Sequence, residues 1–115
     1  PDTQIVAVCG DGSFQMSLME LATMRQWNLP IKFVIMRNGY LGLVREYQHH
    51  TYHDRYSGVS LDGSPDFEKI AEAYGLDYFH LEHNDEMEQR IDEFLACDHA
   101  AMMVCEVYSF DLVKE

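Results

Sequence analysis

Two short stretches hold the residue types that could grip a charged ligand through a metal ion. Gly10-Asp11-Gly12-Ser13 and Arg37-Asn38-Gly39-Tyr40 each directly follow an apolar run. Asp11 offers a hard carboxylate oxygen and Asn38 a neutral amide oxygen. These are the ligand types Mg²⁺ takes when phosphate oxygens and water fill its other positions. Gly10 and Gly12 carry no Cβ, so backbone can approach a phosphate closely. Ser13 adds a hydroxyl, and a helix predicted after it turns its N–H groups toward an anion. A diphosphate bridged by a divalent ion fits this set. Taken alone, Gly-Asp-Gly and Asn-Gly are ordinary turn sequences. Their shared placement behind buried strands is what raises them above that.

The elements that must position these turns alternate between strand and helix. Ile5–Cys9 is a β-branched apolar run ended by Gly10, and reads as a strand buried on both faces. Residues 15–28 lack Gly and Pro and read as one helix, stopped by Pro30. Ile31–Met36 is a second buried strand, interrupted only by Lys32. A short helix is predicted from Leu41 to about Gln48. A polar, aromatic stretch and a Gly/Ser-rich turn at 57–64 follow it. Ser64 and Pro65 suggest the cap and first position of a helix whose face is Phe67, Ile70, Ala71 and Tyr74, with Gly75 as its stop. Tyr78–Leu81 is a short strand. Asn84 is the expected cap of a helix with a Met87, Ile91, Phe94, Leu95 stripe, and Ala101–Val107 is a last strand. Such alternation implies an α/β fold with a mainly parallel sheet between helix layers. Ligands of such sheets bind beyond the carboxyl ends of the strands, where both turns lie.

Composition narrows the class. With 115 residues the chain holds one domain, and 47% apolar residues supply its core. Eight basic residues against 20 acidic ones leave a formal charge of −12. A nucleic-acid or anionic-membrane surface needs clustered Lys and Arg, so neither is expected as a partner. In so acidic a chain a bound metal, not Lys or Arg, would neutralise a diphosphate. The three cysteines, Cys9, Cys97 and Cys105, show no C-x-x-C spacing. They read as small core hydrophobes in a reducing, cytoplasmic setting. The chain opens at Pro1 and enters a strand almost at once, which reads as a piece of a longer protein.

Other candidates are weaker. His49, His50 and His53 form an H-H-x-x-H cluster that could bind zinc, but a mobile loop covering the substrate, or equally a plain solvated loop, suits the segment better. Acidic residues from Glu82 to Glu93 read as a solvated helical face, and His80, His83 and His99 stand isolated.

The order Gly-Asp-Gly, residues 13–36, then Arg37-Asn38 resembles the signature of thiamine-diphosphate enzymes, which closes with Asn-Asn at about this spacing. The stretch from Gly10 to Gln48 (GDGSFQMSLMELATMRQWNLPIKFVIMRNGYLGLVREYQ) is similar to acetolactate synthases. So are Tyr52–Ser57 and the run from Pro65-Asp66-Phe67 through Tyr74-Gly75-Leu76. The resemblance implies the C-terminal thiamine-diphosphate-binding domain of such an enzyme, here residues 1–115. It implies Mg²⁺ held by Asp11, Asn38 and the Tyr40 carbonyl. Gly10, Gly12 and Ser13 would hold the diphosphate, Met16 would lie near the cofactor, and Gly42, Leu43 and Val44 would approach its thiazolium. The implied reaction decarboxylates pyruvate and joins the two-carbon unit to a second 2-oxoacid, in branched-chain amino acid biosynthesis. The family's activating glutamate belongs to another domain, so no catalytic residue is assigned here. The resemblance also implies a homo-oligomer, dimer or tetramer, a possible regulatory subunit, and possible FAD in a domain this chain lacks. Apolar surface around Met19, Trp27 and Leu29 is expected to be bare without those partners.

Three residues depart from the pattern. Arg37 replaces the first Asn and could face a carboxylate or a phosphate. Tyr47 stands where Trp is usual, which bears on the choice of second oxoacid. Leu43 stands for Met, a swap that conserves volume. The alternatives are another thiamine-diphosphate-dependent decarboxylase or carboligase, a Mg²⁺/phosphate-binding module without thiamine, and a self-associated structural fragment.

Overall fold

The computed structural model describes residues 3–109. Four strands form one sheet: β1 (Val6–Gly10), β2 (Lys32–Arg37), β3 (Asp77–Leu81) and β4 (Ala101–Glu106). Their order is β1-β2-β4-β3 and every pairing is parallel. The helices are α1 (Asp11–Met16), α2 (Glu20–Trp27), α3 (Gly42–Tyr52), α4 (Phe67–Tyr74) and α5 (Met87–Ala96). The α/β reading of the sequence holds.

One face of the sheet is closed. Phe14 of α1, Leu21 and Met24 of α2, and Phe67 and Ala71 of α4 bury against Ile35, Met102 and Val104. Phe14 meets Phe33 at 5.7 Å and Phe67 at 5.9 Å between ring centroids, tying α1 to both sheet and α4. The other face carries α5 alone among the described helices, with Phe94 packed on Leu81, Ala101, Met103 and Cys105. The centre of the sheet, β4, is buried along five of its six residues.

Several local expectations need correction. β1 is an edge strand, and Val6 and Val8 are exposed. It is therefore not buried on both faces: no described helix covers it on the α5 side. The single helix predicted over 15–28 is two helices. From Ser17 to Ala22 the backbone bonds run to the third residue back, a tightened stretch that no Gly or Pro marks. The helix after the first turn begins at Asp11 itself, so Asp11, Gly12 and Ser13 are helical rather than loop. Helix α3 extends to Tyr52, beyond the predicted end near Gln48. Ser64 does not cap α4; Asp66 does, its Oδ1 accepting from the Lys69 N–H at 3.2 Å. The Ser64 N–H instead donates to the Leu61 carbonyl, and its hydroxyl accepts from Gln15 Nε2 at 3.3 Å. Asn84 opens a 3₁₀ turn before α5 and makes no side-chain cap bond. Of the α5 stripe, Met87 and Leu95 are exposed. Gly75 does end α4, at φ +72. Met19, Trp27 and Leu29 are bare, as expected.

Candidate functional site

Strand register brings the two turns together. Gly10 pairs with Met36 and Arg37 follows directly, so β1 and β2 end side by side. Asp11 and Asn38 therefore leave the same edge of the sheet. The Asp11 side chain is 1% exposed and joins the turns directly. Its Oδ1 accepts from its neighbour Gly12 at 3.0 Å and its Oδ2 from the Gly39 N–H at 2.9 Å. Each oxygen has a second lone pair for a cation.

Asn38 folds back on its own loop. Its Oδ1 accepts from the Tyr40 N–H at 2.9 Å. Tyr40 is fixed from outside as well, by an antiparallel bridge to Ser60. The Leu41 N–H donates to the Val59 carbonyl and the Leu61 N–H to the Gly39 carbonyl, both at 2.8 Å. In a bridge of this kind the N–H and C=O of Tyr40 itself point away from Ser60. They point to the side where Asn38 Oδ1 lies. The carboxylate of Asp11, the amide oxygen of Asn38 and the carbonyl of Tyr40 thus belong to one strapped unit.

A cleft of about 440 Å³ opens over this unit. Gly10, Asp11, Gly12, Ser13, Met16, Asn38, Tyr40, Gly42 and Leu43 all line it, together with Met36, Leu41, Val44 and Val107. The lining mixes the polar Asp11, Ser13 and Asn38 with apolar residues, of which Met16 and Leu43 are 70% and 81% exposed.

The two glycines of the first turn differ in role. At Gly10 a Cβ would meet nothing within 4 Å, so a phosphate could approach there. At Gly12 a Cβ would stand 2.7 Å from Leu41 Cδ2 and 3.3 Å from Leu61 Cδ1. Gly12 is there so that Leu41 can pack, a reason the sequence reading did not supply.

Arg37 is explained by its register partner. Its guanidinium lies 3.3 Å from Glu106 and over the Phe67 ring at 5.8 Å. It faces a carboxylate, and it does not line the cleft. Arg45 was missed. It is buried, stacked against the rings of Tyr40 at 4.6 Å and Tyr56 at 5.2 Å, and it donates to the Ser109 carbonyl. One side chain therefore fastens the strap, the following loop and the segment after β4. A lone Arg in a helix carries no signal of this; only the surrounding tyrosines hinted at it.

The histidine cluster forms no metal group. Among the described residues the groups able to hold an ion do not include His49, His50 or His53. His49 Nδ1 instead pairs with Asp54 Oδ1 at 2.5 Å, and the Tyr56 hydroxyl donates to the same oxygen at 2.6 Å. The Tyr56 and His49 bonds hold the Asp54 carboxyl below its ordinary pKa. Gln48 and Ser57 exchange two further bonds, so the segment is anchored at both ends.

Residues 1–107 match the family described as thiamine pyrophosphate enzyme, C-terminal TPP binding domain. The chain belongs to that family. Among its relatives, the acetolactate synthase of Arthrospira platensis is 37% identical over 108 residues, 93% of this chain and 18% of that protein. The isozyme 2 large subunit of acetolactate synthase from Escherichia coli K12 is 38% identical over 98 residues, 85% of this chain and 18% of its own length. The isozyme 3 large subunit is 40% identical over 95 residues, 83% of this chain and 17% of its own. The chain thus spans under a fifth of the curated relatives it matches. For a TPP-binding domain the donor chemistry fits. Oxygen-bearing Asp11, Asn38 and Tyr40 line one cleft, Gly10 leaves open space in it, and Met16, Leu43 and Val44 add apolar lining. No helix among the described residues is long and apolar enough to cross a membrane.

Proposed function

We propose that this chain supplies the diphosphate- and magnesium-binding half of the active site of an acetolactate synthase. The observation that carries the reading is the bond from the Gly39 N–H to Asp11 Oδ2, which joins the two turns at one edge of the sheet. Asp11, Asn38 and the Tyr40 carbonyl would hold Mg²⁺, and the metal would offset the charge of a diphosphate. Gly10 and Ser13 would receive the phosphate oxygens, with Gly12 setting the helix start behind them. Met16, Gly42, Leu43 and Val44 would give an apolar surface from which water is excluded. When bound, thiamine diphosphate supplies the electron sink through which a 2-oxoacid such as pyruvate loses CO₂ and joins a second 2-oxoacid. The residues of this chain position and neutralise; proton transfer to the cofactor falls to another domain. The exposed Met19 and Trp27 would then pack against other parts of the oligomer.

The test is binding of thiamine diphosphate to the full-length polypeptide by calorimetry, with Mg²⁺ and after its chelation. The expected result is binding only with Mg²⁺, and loss of that binding in Asp11→Ala. Binding indifferent to Mg²⁺ would count against the site and would favour a different phosphate pocket.

A further inference from the structure

Three donor atoms of different chemistry converge at the opposite edge of the sheet. Asp77 opens β3, while Cys97 and His99 stand in the turn between α5 and β4. Cys97 Sγ lies 3.1 Å from Asp77 Oδ2, and His99 Nδ1 lies 3.8 Å from the same oxygen. One ligand atom from each residue lies within 4.8 Å of the other two. Ligands bonded at about 2.0–2.3 Å to a tetrahedral ion stand about 3.5 Å apart. The two separations from Asp77, 3.1 and 3.8 Å, lie close to that, and the third is within 4.8 Å.

The backbone beneath the three is fixed. The Asp77 N–H donates to the Ala100 carbonyl at 3.0 Å, binding the start of β3 to the turn. The Lys32 side chain, 1% exposed, donates to the Cys97 carbonyl from within the sheet. The set itself is selective. Mg²⁺ takes oxygen ligands, whereas thiolate, imidazole and carboxylate together suit a borderline-soft ion such as Zn²⁺. A cluster of carboxylates alone would not discriminate in this way.

We propose that Asp77, Cys97 and His99 form a three-residue site for a zinc-class ion, with water in the fourth position. The ion enters as the Cys97 thiol releases its proton to solvent. It also displaces the contact of His99 Nδ1 with Asp98 Oδ1, now 2.9 Å. A bound ion would staple the start of β3 to the α5–β4 turn. The site uses no residue of the cofactor cleft, so it stands or falls apart from the proposed function.

Co²⁺ serves as a visible stand-in for Zn²⁺ in the full-length polypeptide, saturated with Mg²⁺ and thiamine diphosphate. The expected result is one equivalent bound, with thiolate-to-metal charge-transfer absorption that Zn²⁺ bleaches. Cys97→Ser should lose that absorption, and His99→Ala and Asp77→Asn should each weaken binding about tenfold or more. Circular dichroism checks that each variant remains folded, and zinc should slow alkylation of Cys97 in the parent. The proposal is overturned by a parent without the absorption, by its survival in Cys97→Ser, or by His99→Ala binding as tightly as the parent.

Discussion

The two turns that meet at the cleft are built in opposite ways. Gly10–Ser13 is held by its own neighbours: it starts a helix, its glycine admits Leu41, and Phe14 locks it to the core one residue later. Gly39–Leu41 is held from a distance. Its distant fixtures are Asp11, 28 residues before Gly39, and Val59 and Leu61; Arg45 adds a nearer one. The Asp11 oxygens of the first turn ride on a packed helix start and are fixed by bonds from Gly12 and Gly39. Those in the second are placed by a strap of polar bonds and a stacked cation.

Removing the residue common to both turns should have the largest effect. Asp11→Ala leaves the buried Gly12 N–H and the half-buried Gly39 N–H without their partner, at about 1–3 kcal/mol in unfolding free energy for the first and less for the second. Denaturant unfolding measures it. The same change should weaken Mg²⁺-dependent cofactor binding by about 100-fold or more, the equivalent of about 2.7 kcal/mol. A variant as stable as the parent would show that the carboxylate does not join the turns.

Arg45→Met attacks the second turn alone. It removes two cation–ring stacks and a charge-assisted bond, together about 2–3 kcal/mol at this buried position. Mg²⁺ affinity should fall about tenfold through Tyr40, because no Arg45 atom is proposed to touch the metal. Arg45→Lys should restore little, since a lysine lacks the planar fork. Unchanged Mg²⁺ affinity would show that the strap holds without it.

Gly12→Ala strikes the first turn and, through Leu41, presses on the second; it is a contest of two effects. A helical Ala gains up to about 1 kcal/mol over Gly, while the clash with Leu41 costs about 1–3 kcal/mol. A net loss near 1 kcal/mol is expected, relieved by Leu41→Ala in the double variant. Stabilisation by Gly12→Ala would mean that Leu41 yields freely.

The smallest effect concerns the loop behind the strap. Asp54 is fully exposed, and its depressed pKa means that its bonds to Tyr56 and His49 favour the charged form. A depressed carboxyl contributes above its unfolded value and loses that contribution as pH falls through the folded one. Loop protection, followed by hydrogen exchange, should therefore fall below about pH 4. Asp54→Asn should show no such step.

The same contrast explains what could be read from the sequence. The first turn was legible because its causes are local: Gly10, Asp11 and a helical run stand within a few residues. The sheet was legible too, because β2 and β4 are apolar runs broken only by Lys32 and by their last residues, Arg37 and Glu106. The strap was not, because neither Ser60 nor Arg45 differs in type from any surface residue until the chain brings Tyr40 to them. The exposed face of β1 was misjudged because its sequence records hydrophobicity, not which helix covers it. Cys97 read as a core hydrophobe and His99 as isolated because Asp77, their meeting point, lies 20 residues before Cys97.

The central claim is that a single cation is shared by Asp11 and Asn38. A double-mutant cycle in the full-length polypeptide tests it, reading the Mg²⁺ dependence of thiamine diphosphate affinity in Asp11→Asn, Asn38→Ala and the pair. If one ion touches both side chains, each single change removes most of the Mg²⁺ effect and the pair is hardly worse than either. Losses that simply add would mean two independent contacts and no common metal.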